Sequence, residues 1–327
     1  MPASAIDEAV RILRAGGLVA FPTETVYGLG ADATNEQAVR RIFAVKGRPA
    51  DHPVIVHLAG VEQLPRWARA IPPAALRLAE QFWPGPLTLI LERAPGVLDV
   101  VTGGQDTVGL RVPAHPVAHA LLEAFGGGIA GPSANRFGRI SPTTAHHVLD
   151  ELGDRVDLVL DGGSCTVGIE STIVDLSSGA AVVLRPGQIA VGDLEAALGV
   201  PVSSPSATSP RASGTLATHY APTRPLLLVA PQTLEAAVRA HAARGPVAVL
   251  ACRARPADTP AKVWEVAPSI AEDYARMLYA GLRDLDRTEC ALLVVEVPPA
   301  GPEWAAVHDR LRRAAAGSAA PAENDTP

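Results

Sequence analysis

The chain has 327 residues, 48% of them hydrophobic and 19% charged, a balance that suits two packed domains and leaves little room for extended disorder. A formal net charge of −6 argues against a broad nucleic-acid footprint built on phosphate neutralisation. No apolar run reaches the ~18 residues of a membrane helix, and Met1 to Arg14, with Asp7 and Glu8, lacks the basic leader and apolar core of a secretory signal, so the expectation is a cytoplasmic protein with no membrane association.

Apolar periodicity predicts helices over Ile6 to Ala15, Asn35 to Val45 with Asn35 as N-cap and Gly47 past the end, Val117 to Phe125, and Thr143 to Leu152. Strands are predicted over Leu18 to Phe21, Val54 to Leu58, Leu87 to Glu92, Gly109 to Val112, Leu158 to Leu160, Thr172 to Asp175 and Ala181 to Leu184. Several of these follow one another without a helix, so the expected sheet is mixed. From Pro201 to Pro225 the pattern stops in a stretch rich in Ser, Pro, Thr and Ala, which reads as a linker. Strands at Leu226 to Val229, Val247 to Leu250 and Ala291 to Val297 then alternate with helices at Thr233 to Ala243, Ile270 to Asp286 and Glu303 to Ala315. That alternation predicts a small α/β unit with a parallel core. The expected organisation is a first domain over 1–200, a linker over 201–225, a second domain over 226–317 and a disordered tail over 318–327.

Cys165, Cys252 and Cys290 form no Cys-x-x-Cys pair and the nine histidines form no metal pattern, so neither a disulfide framework nor a resident metal site is expected. Gly28 to Ala33 fits G-x-G-x-x-A and Gly126 to Gly131 fits G-x-G-x-x-G, but neither sits at the strand-to-helix turn where a pyrophosphate would meet a helix N-terminus. No Walker loop, G-x-S-x-G or H-E-x-x-H occurs, so covalent catalysis has no candidate constellation.

Polar clusters remain. FPTETVYGLGADA carries two threonines, an acid and a tyrosine beyond a strand end, where α/β proteins place ligands. KGRPADHPVIVH places Lys46 and Arg48 one residue apart at a helix end, followed by His52 and His57. Two such cations can hold a polyphosphate or form a solvated basic turn. Of 28 basic residues only Lys46 and Lys262 are lysine, so Lys46 stands out where a compact ammonium is wanted. GIAGPSANRFGRISPTTA offers Ser133, Asn135, Ser141 and Thr143, groups that bind phosphate or cap helices. Ser171 and Thr172 stand at one strand entrance and Arg185 at a strand exit, while Arg111 inside GLRVP either faces solvent or grips an anion.

Taken in order, FPTETVYGLG, KGRPADHP with VIVH, PSAN with SPT, IESTIVD and LRPG resemble the YrdC-like domain of threonylcarbamoyl-AMP synthases. The linker with THYAP and the trailing α/β unit resemble the long, two-domain form of that family. The resemblance implies a twisted mixed sheet with flanking helices and a concave cavity, followed by a small Rossmann-like domain. It implies L-threonine contacts from Thr25, His57, Arg111 and Ser171 with backbone near Gly131. Lys46, Arg48, His52, Thr107, Ser133, Asn135, Ser141 and Arg185 would surround ATP, Lys46 and Arg48 being the catalytic cations, with Tyr220 closing over the nucleotide. The implied reaction joins L-threonine, bicarbonate and ATP, with Mg²⁺, into the activated precursor that a tRNA threonylcarbamoyl transferase complex consumes. Two rivals share this domain type: a carbamoyl transferase acting on a protein, whose relatives carry acylphosphatase-like and zinc-finger modules missing here, and a noncatalytic RNA-binding module, disfavoured by the acidic charge.

Overall fold

A computed structural model describes residues 3–318. Residues up to Phe137 together with Ser141–Thr215 form one compact unit; Gly138–Ile140 and the chain from Leu216 form a second. Helices are α1 (Ala3–Arg14), α2 (Glu36–Lys46), α3 (Leu64–Trp67), α4 (Pro73–Phe82), α5 (Asp99–Thr102), α6 (Pro116–Phe125), α7 (Ala145–Leu152), α8 (Val191–Leu198), α9 (Leu234–Ala242), α10 (Ala271–Arg287) and α11 (Ala305–Ser318). Strands are β1 (Val19–Phe21), β2 (Gly28–Asp32), β3 (Ile55–His57), β4 (Leu87–Glu92), β5 (Thr107–Arg111), β6 (Ile129–Ala130), β7 (Leu158–Val159), β8 (Thr172–Asp175), β9 (Val182–Arg185), β10 (Leu226–Val229), β11 (Val247–Ala251), β12 (Val263–Val266) and β13 (Leu292–Glu296).

The first unit is a nine-stranded sheet in the order β7-β1-β2-β6-β3-β5-β4-β8-β9. It is mixed, as the sequence predicts: β3 runs parallel to β5 and β4 to β8, while β4 and β5 are antiparallel. Alternation along the central strands decides which side chains point where. Val56, Leu87, Leu89, Leu91, Val108, Leu110 and Val174 enter the main core with Val39, Ile42 and Phe43 of α2, Leu78 of α4 and Leu194 of α8. Each buried leucine contributes about 1.5–3 kcal/mol, and a one-residue slip of β4 would turn Thr88 and Ile90 into that core, so the register is fixed. The opposite face is therefore left to His57, Thr88, Thr107 and Arg111, with a small apolar patch of Ile55, Ile90, Ile173, Val182, Leu184 and Ala212.

Ala212 belongs to the Pro/Ser-rich stretch, which forms no helix and no strand from 201 to 225. Within the first unit Ser203 bridges to Val182, the Arg211 backbone N–H donates to Gln105 at 2.7 Å, and the Arg211 guanidinium donates to the Gly103 carbonyl at 2.8 Å. Lacking a periodic apolar face, the part of this stretch that lies in the first unit is held by single hydrogen bonds and by the buried Ala212 methyl group.

The second unit has four strands, all parallel, in the order β10-β13-β11-β12. Three were expected; β12 is a half-exposed edge strand whose four residues carry too weak a pattern to predict. Of the tail expected over 318–327, Ser318 ends α11 and the rest lies outside the described residues.

Candidate functional site

Arg111, at the end of β5, is 4% exposed and neither faces solvent nor stands alone. Its Nη2 lies 2.8 Å from Glu24 Oε1, Nη1 donates to Thr25 Oγ1 at 2.9 Å and Nε to the Gly85 carbonyl at 3.1 Å. Glu24 also accepts the Ala114 N–H at 3.1 Å. Thr25 Oγ1 lies 2.8 Å from Thr23 Oγ1. A buried carboxylate costs several kcal/mol unless paired, so the acid of the PTET motif and the strand arginine stabilise each other. Glu24 carries no assignment from sequence, although its place within PTET was the available signal.

Across β4 and β8 a second cation is tied in. Ser171 Oγ lies 2.8 Å from Thr88 Oγ1 and accepts from Arg185 Nη2 at 3.1 Å, and the Ser171 carbonyl takes Arg185 Nε and Nη2 at 3.1 and 2.9 Å. Arg185 Nη1 donates to the Ser213 carbonyl at 2.8 Å. The Ser213 hydroxyl donates to the Pro53 carbonyl at 2.8 Å and lies 3.4 Å from Arg48 Nη2, which itself donates to Pro53 O at 2.8 Å. Ser213 thus touches two cations that sequence alone separates by more than a hundred residues, a role hidden inside an apparently featureless linker.

Lys46 closes α2, whose buried stripe Val39, Ile42 and Phe43 continues into it one turn on. Its ammonium donates to the carbonyls of Ser133 and Asn135. Burial, then the neighbouring Arg48, hold its pKa well below the usual lysine value. Arg48 stacks over Phe137 at 5.8 Å, and His52 meets the same ring edge-on at 5.4 Å, its pKa lowered by burial and by Arg48. The PSAN loop is bonded to the first motif: Ala134 N–H donates to Tyr27 O, and Tyr27 N–H to Pro142 O. Ser141 donates to the buried Glu170 at 2.5 Å, whereas the cap of α7 is Thr144, whose hydroxyl accepts the His147 N–H.

His57 ends β3 directly beside Arg111. A Cβ on Gly131 would stand 3.0 Å from His57 Nδ1 and 3.2 Å from the Phe21 ring, so any side chain there would have to push the imidazole aside. Nδ1 is buried with no hydrogen-bond partner among the described residues. Burial, then Arg111, push the imidazole pKa down to about 3, with the Ile129 backbone opposing them. Neutral at pH 7, the ring can offer a lone pair but not a charge. Because the unfolded chain takes up a proton near pH 6.5 and the folded chain does not, stability is complete above that pH and falls toward pH 3 at roughly 1.4 kcal/mol per unit. Urea unfolding at pH 7 and pH 5 is expected to show a larger loss in the parent than in His57→Gln, by about 2 kcal/mol; equal losses would remove His57 as the cause.

Thr25, His57, Arg111, Gly131, Ser171 and Arg185 thus gather around the β3–β5–β4–β8 strand ends, and Lys46, Arg48, His52, Ser133 and Asn135 around the end of α2. Thr107 does not join them. It opens β5, four residues and about 13 Å along the strand from Arg111, and lines a cleft of about 550 Å³ with Asp175, Ser203 and Thr208. Tyr220 lies in the second unit with φ 61°, stacked on Tyr279 at 5.6 Å and beneath Arg310 at 5.3 Å. No cluster of three or more His, Cys, Asp or Glu side chains suited to a metal occurs among the described residues, and none of their helices is long and apolar enough to cross a membrane.

Residues 11–187 match a family described as Sua5_yciO_yrdC, telomere recombination, and residues 189–316 match threonylcarbamoyl-AMP synthase, C-terminal domain. The threonylcarbamoyl-AMP synthase of Pyrococcus abyssi is 41% identical over 318 residues, 94% of this chain and 92% of the relative. That of Bacillus subtilis is 39% identical over 323 residues, 95% and 93% of the two chains. The crystal structure of Pyrococcus abyssi Sua5 complexed with L-threonine aligns with a TM-score of 0.89 at 39% identity, covering 96% of this chain and 94% of that one.

Proposed function

The chain belongs to the threonylcarbamoyl-AMP synthase family, and on that premise we propose that it makes threonylcarbamoyl-AMP and pyrophosphate from L-threonine, bicarbonate and ATP, as a cytoplasmic nucleotidyltransferase supplying N6-threonylcarbamoyladenosine synthesis in tRNA. The observation that carries this reading is the run of buried cations along one sheet face and the adjoining helix end, Arg111, Arg185, Arg48 and Lys46, each fixed by hydrogen bonds to backbone or side-chain oxygens. Threonine brings one carboxylate and ATP brings a triphosphate, and such a face offers fixed charge to both.

In the proposed chemistry the threonine amine adds to bicarbonate with loss of water, giving a carbamate. A carbamate oxygen then attacks the α-phosphorus of ATP, the bond to the β-phosphate oxygen breaks, and pyrophosphate leaves. Such a transfer needs positioning and charge neutralisation rather than a protein nucleophile. Arg111 holds the threonine carboxylate, with Thr25, Ser171 and the backbone near Gly131 around the amino acid. His57, uncharged beside Gly131, accepts a hydrogen bond from the nitrogen without competing for the carboxylate. Lys46, Arg48 and Arg185 take the phosphates, with Ser133, Asn135, Ser141 and His52 along the nucleotide; Thr107, in its separate cleft, has no part in this reading. Magnesium enters as the partner of the ATP phosphates, which suits an ion that keeps most of its waters; the buried carboxylates Glu24 and Glu170 are already engaged by Arg111 and Ser141.

The segment around Ser213 completes the proposal. Its carbonyl and hydroxyl lie against Arg185 and Arg48, so a triphosphate binding there displaces it, and we assign 201–225 as a lid that excludes water from the labile carbamate, with Tyr220 closing on the nucleotide. The product then passes to a tRNA threonylcarbamoyl transferase. Pyrophosphate release by the purified chain with MgATP is expected to require both L-threonine and bicarbonate. Turnover that ignores threonine, or none at all, would sink the assignment.

A further inference from the structure

Behind the Ser171 hydroxyl stands a second one, that of Thr88 on β4, with its Oγ1 2.8 Å from Ser171 Oγ. The backbone sets this spacing: Thr88 pairs with Ile173 across the parallel β4–β8 ladder, and the Thr172 N–H donates to Pro86 O at 2.9 Å. Thr88 shares its sheet face with Arg111 and is 0% exposed, and Ser171 is 1% exposed. Arg185 holds the serine from its other side, with Nη2 on the hydroxyl oxygen at 3.1 Å and Nε and Nη2 on the carbonyl at 3.1 and 2.9 Å. All of these residues belong to the first unit.

Each hydroxyl has one proton to give and two lone pairs. The bond between them uses one proton, and among the described residues neither hydroxyl has a further acceptor within hydrogen-bond distance. One proton is therefore left without an acceptor, at a depth where an unmet donor is costly. We infer that Thr88 is a positioning residue for the amino-acid substrate. Thr88 donates to Ser171, and Ser171, accepting from Thr88 and Arg185 together, directs its own proton to an anionic oxygen of the substrate, either the threonine carboxylate or the carbamate formed from its amine. The inference rests on the reading of Ser171 as a substrate contact. The opposite direction, Ser171 donating to Thr88, strands the Thr88 proton and turns a serine lone pair toward the substrate, but the guanidinium already on that oxygen makes it a poor acceptor for an ammonium. A hydroxyl that accepts from two donors, one of them charged, is itself the stronger donor.

The test compares Thr88→Val, Thr88→Ala and Thr88→Ser with the parent, each alone and combined with Ser171→Ala, by threonine-dependent pyrophosphate release and by calorimetric binding of threonine. Thr88→Val keeps the branched strand side chain and removes the donor; should it not fold, Thr88→Ala and Thr88→Ser carry the comparison. The expected result is a fall of about tenfold in kcat/KM for threonine in Thr88→Val and Thr88→Ala, the size of one lost hydrogen bond, with KM for ATP changed less than about twofold. Thr88→Ser, which keeps the hydroxyl, is expected to recover most of the rate. In the Ser171→Ala background the same changes at position 88 are expected to cost less than about twofold, because Thr88 acts only through the serine. A weaker Kd for threonine assigns the oxygen to the carboxylate, and an unchanged Kd with a lower kcat assigns it to the carbamate. Unchanged kcat/KM in both Thr88→Val and Thr88→Ala overturns the inference, as does an equal loss with and without Ser171→Ala, the mark of a threonine needed only for packing. A parent with no threonine-dependent release refutes the synthase reading and this inference with it, whereas an active parent beside variants that match it refutes this inference alone.

Discussion

Arg111→Met is expected to abolish threonine saturation and to destabilise the first unit by about 3–5 kcal/mol, because it strands the Glu24 carboxylate in the interior. The physical reason is the closed set of contacts around the guanidinium: Glu24 Oε1, Thr25 Oγ1 and the Gly85 carbonyl use its three nitrogens in turn. Glu24 is 6% exposed, and among the described residues the Ala114 N–H is the donor that would remain to compensate it. Adding Glu24→Gln to Arg111→Met is expected to restore most of the lost stability, since a neutral amide is far cheaper to bury than a lone carboxylate. It is not expected to restore activity, because the threonine carboxylate still lacks its cation; kcat/KM for threonine stays down by about 10²–10³-fold in both variants. Equilibrium urea unfolding and initial rates of pyrophosphate release separate these outcomes. A double variant as unstable as the sum of its single changes would show that Glu24 and Arg111 do not act as a pair.

The sequence displays the strands whose apolar alternation is strong and hides those whose side chains are missing. Leu87–Glu92 is found at its predicted bounds because Leu87, Leu89 and Leu91 make one face apolar throughout, and Thr172–Asp175 because Ile173 and Val174 give it an apolar centre buried on both faces. Gly28–Asp32 carries no predicted element and is a strand: a Cβ on Gly30 would come within 2.9 Å of the Phe21 ring and of Ile129, so the glycines are there to admit Phe21 across the hairpin. Helix α4 went unread because it opens on two prolines that look like a loop, yet Pro73 at the first helical position costs nothing. In the site, the residue types are visible but their pairing is not. Glu24 meets Arg111 and Ser213 meets Arg185 across long stretches of chain, which only the fold brings together. Lys46 shows both sides of this. Its place one turn beyond Ile42 and Phe43 put it on the buried stripe, a sign of an inward-facing lysine already present in the spacing, whereas its two carbonyl partners at 133 and 135 had no sequence signal.

Those partners set the second large expectation, that Lys46→Arg behaves almost as badly as Lys46→Ala. If Lys46 supplied only positive charge, arginine would serve, and this chain uses arginine at nearly every other basic position. Here the ammonium fills a compact buried space and donates to the Ser133 and Asn135 carbonyls together. A planar guanidinium is larger, and its donors diverge along fixed directions, so it cannot meet both carbonyls from the same helix end without moving α2 or the loop. Lys46→Ala takes one donor from each of the two carbonyls, Ser133 O keeping the Asn135 N–H at 3.0 Å, at a cost of about 1–3 kcal/mol, and it loosens the loop that bears Ser133 and Asn135. We expect turnover to fall about 10²–10³-fold in Lys46→Ala and to recover by less than about tenfold in Lys46→Arg. Melting temperature is expected to drop in both. A Lys46→Arg enzyme with near-parental rate and stability would mean that charge alone is required at this position, and the tie between helix α2 and the PSAN loop would then have no part in catalysis.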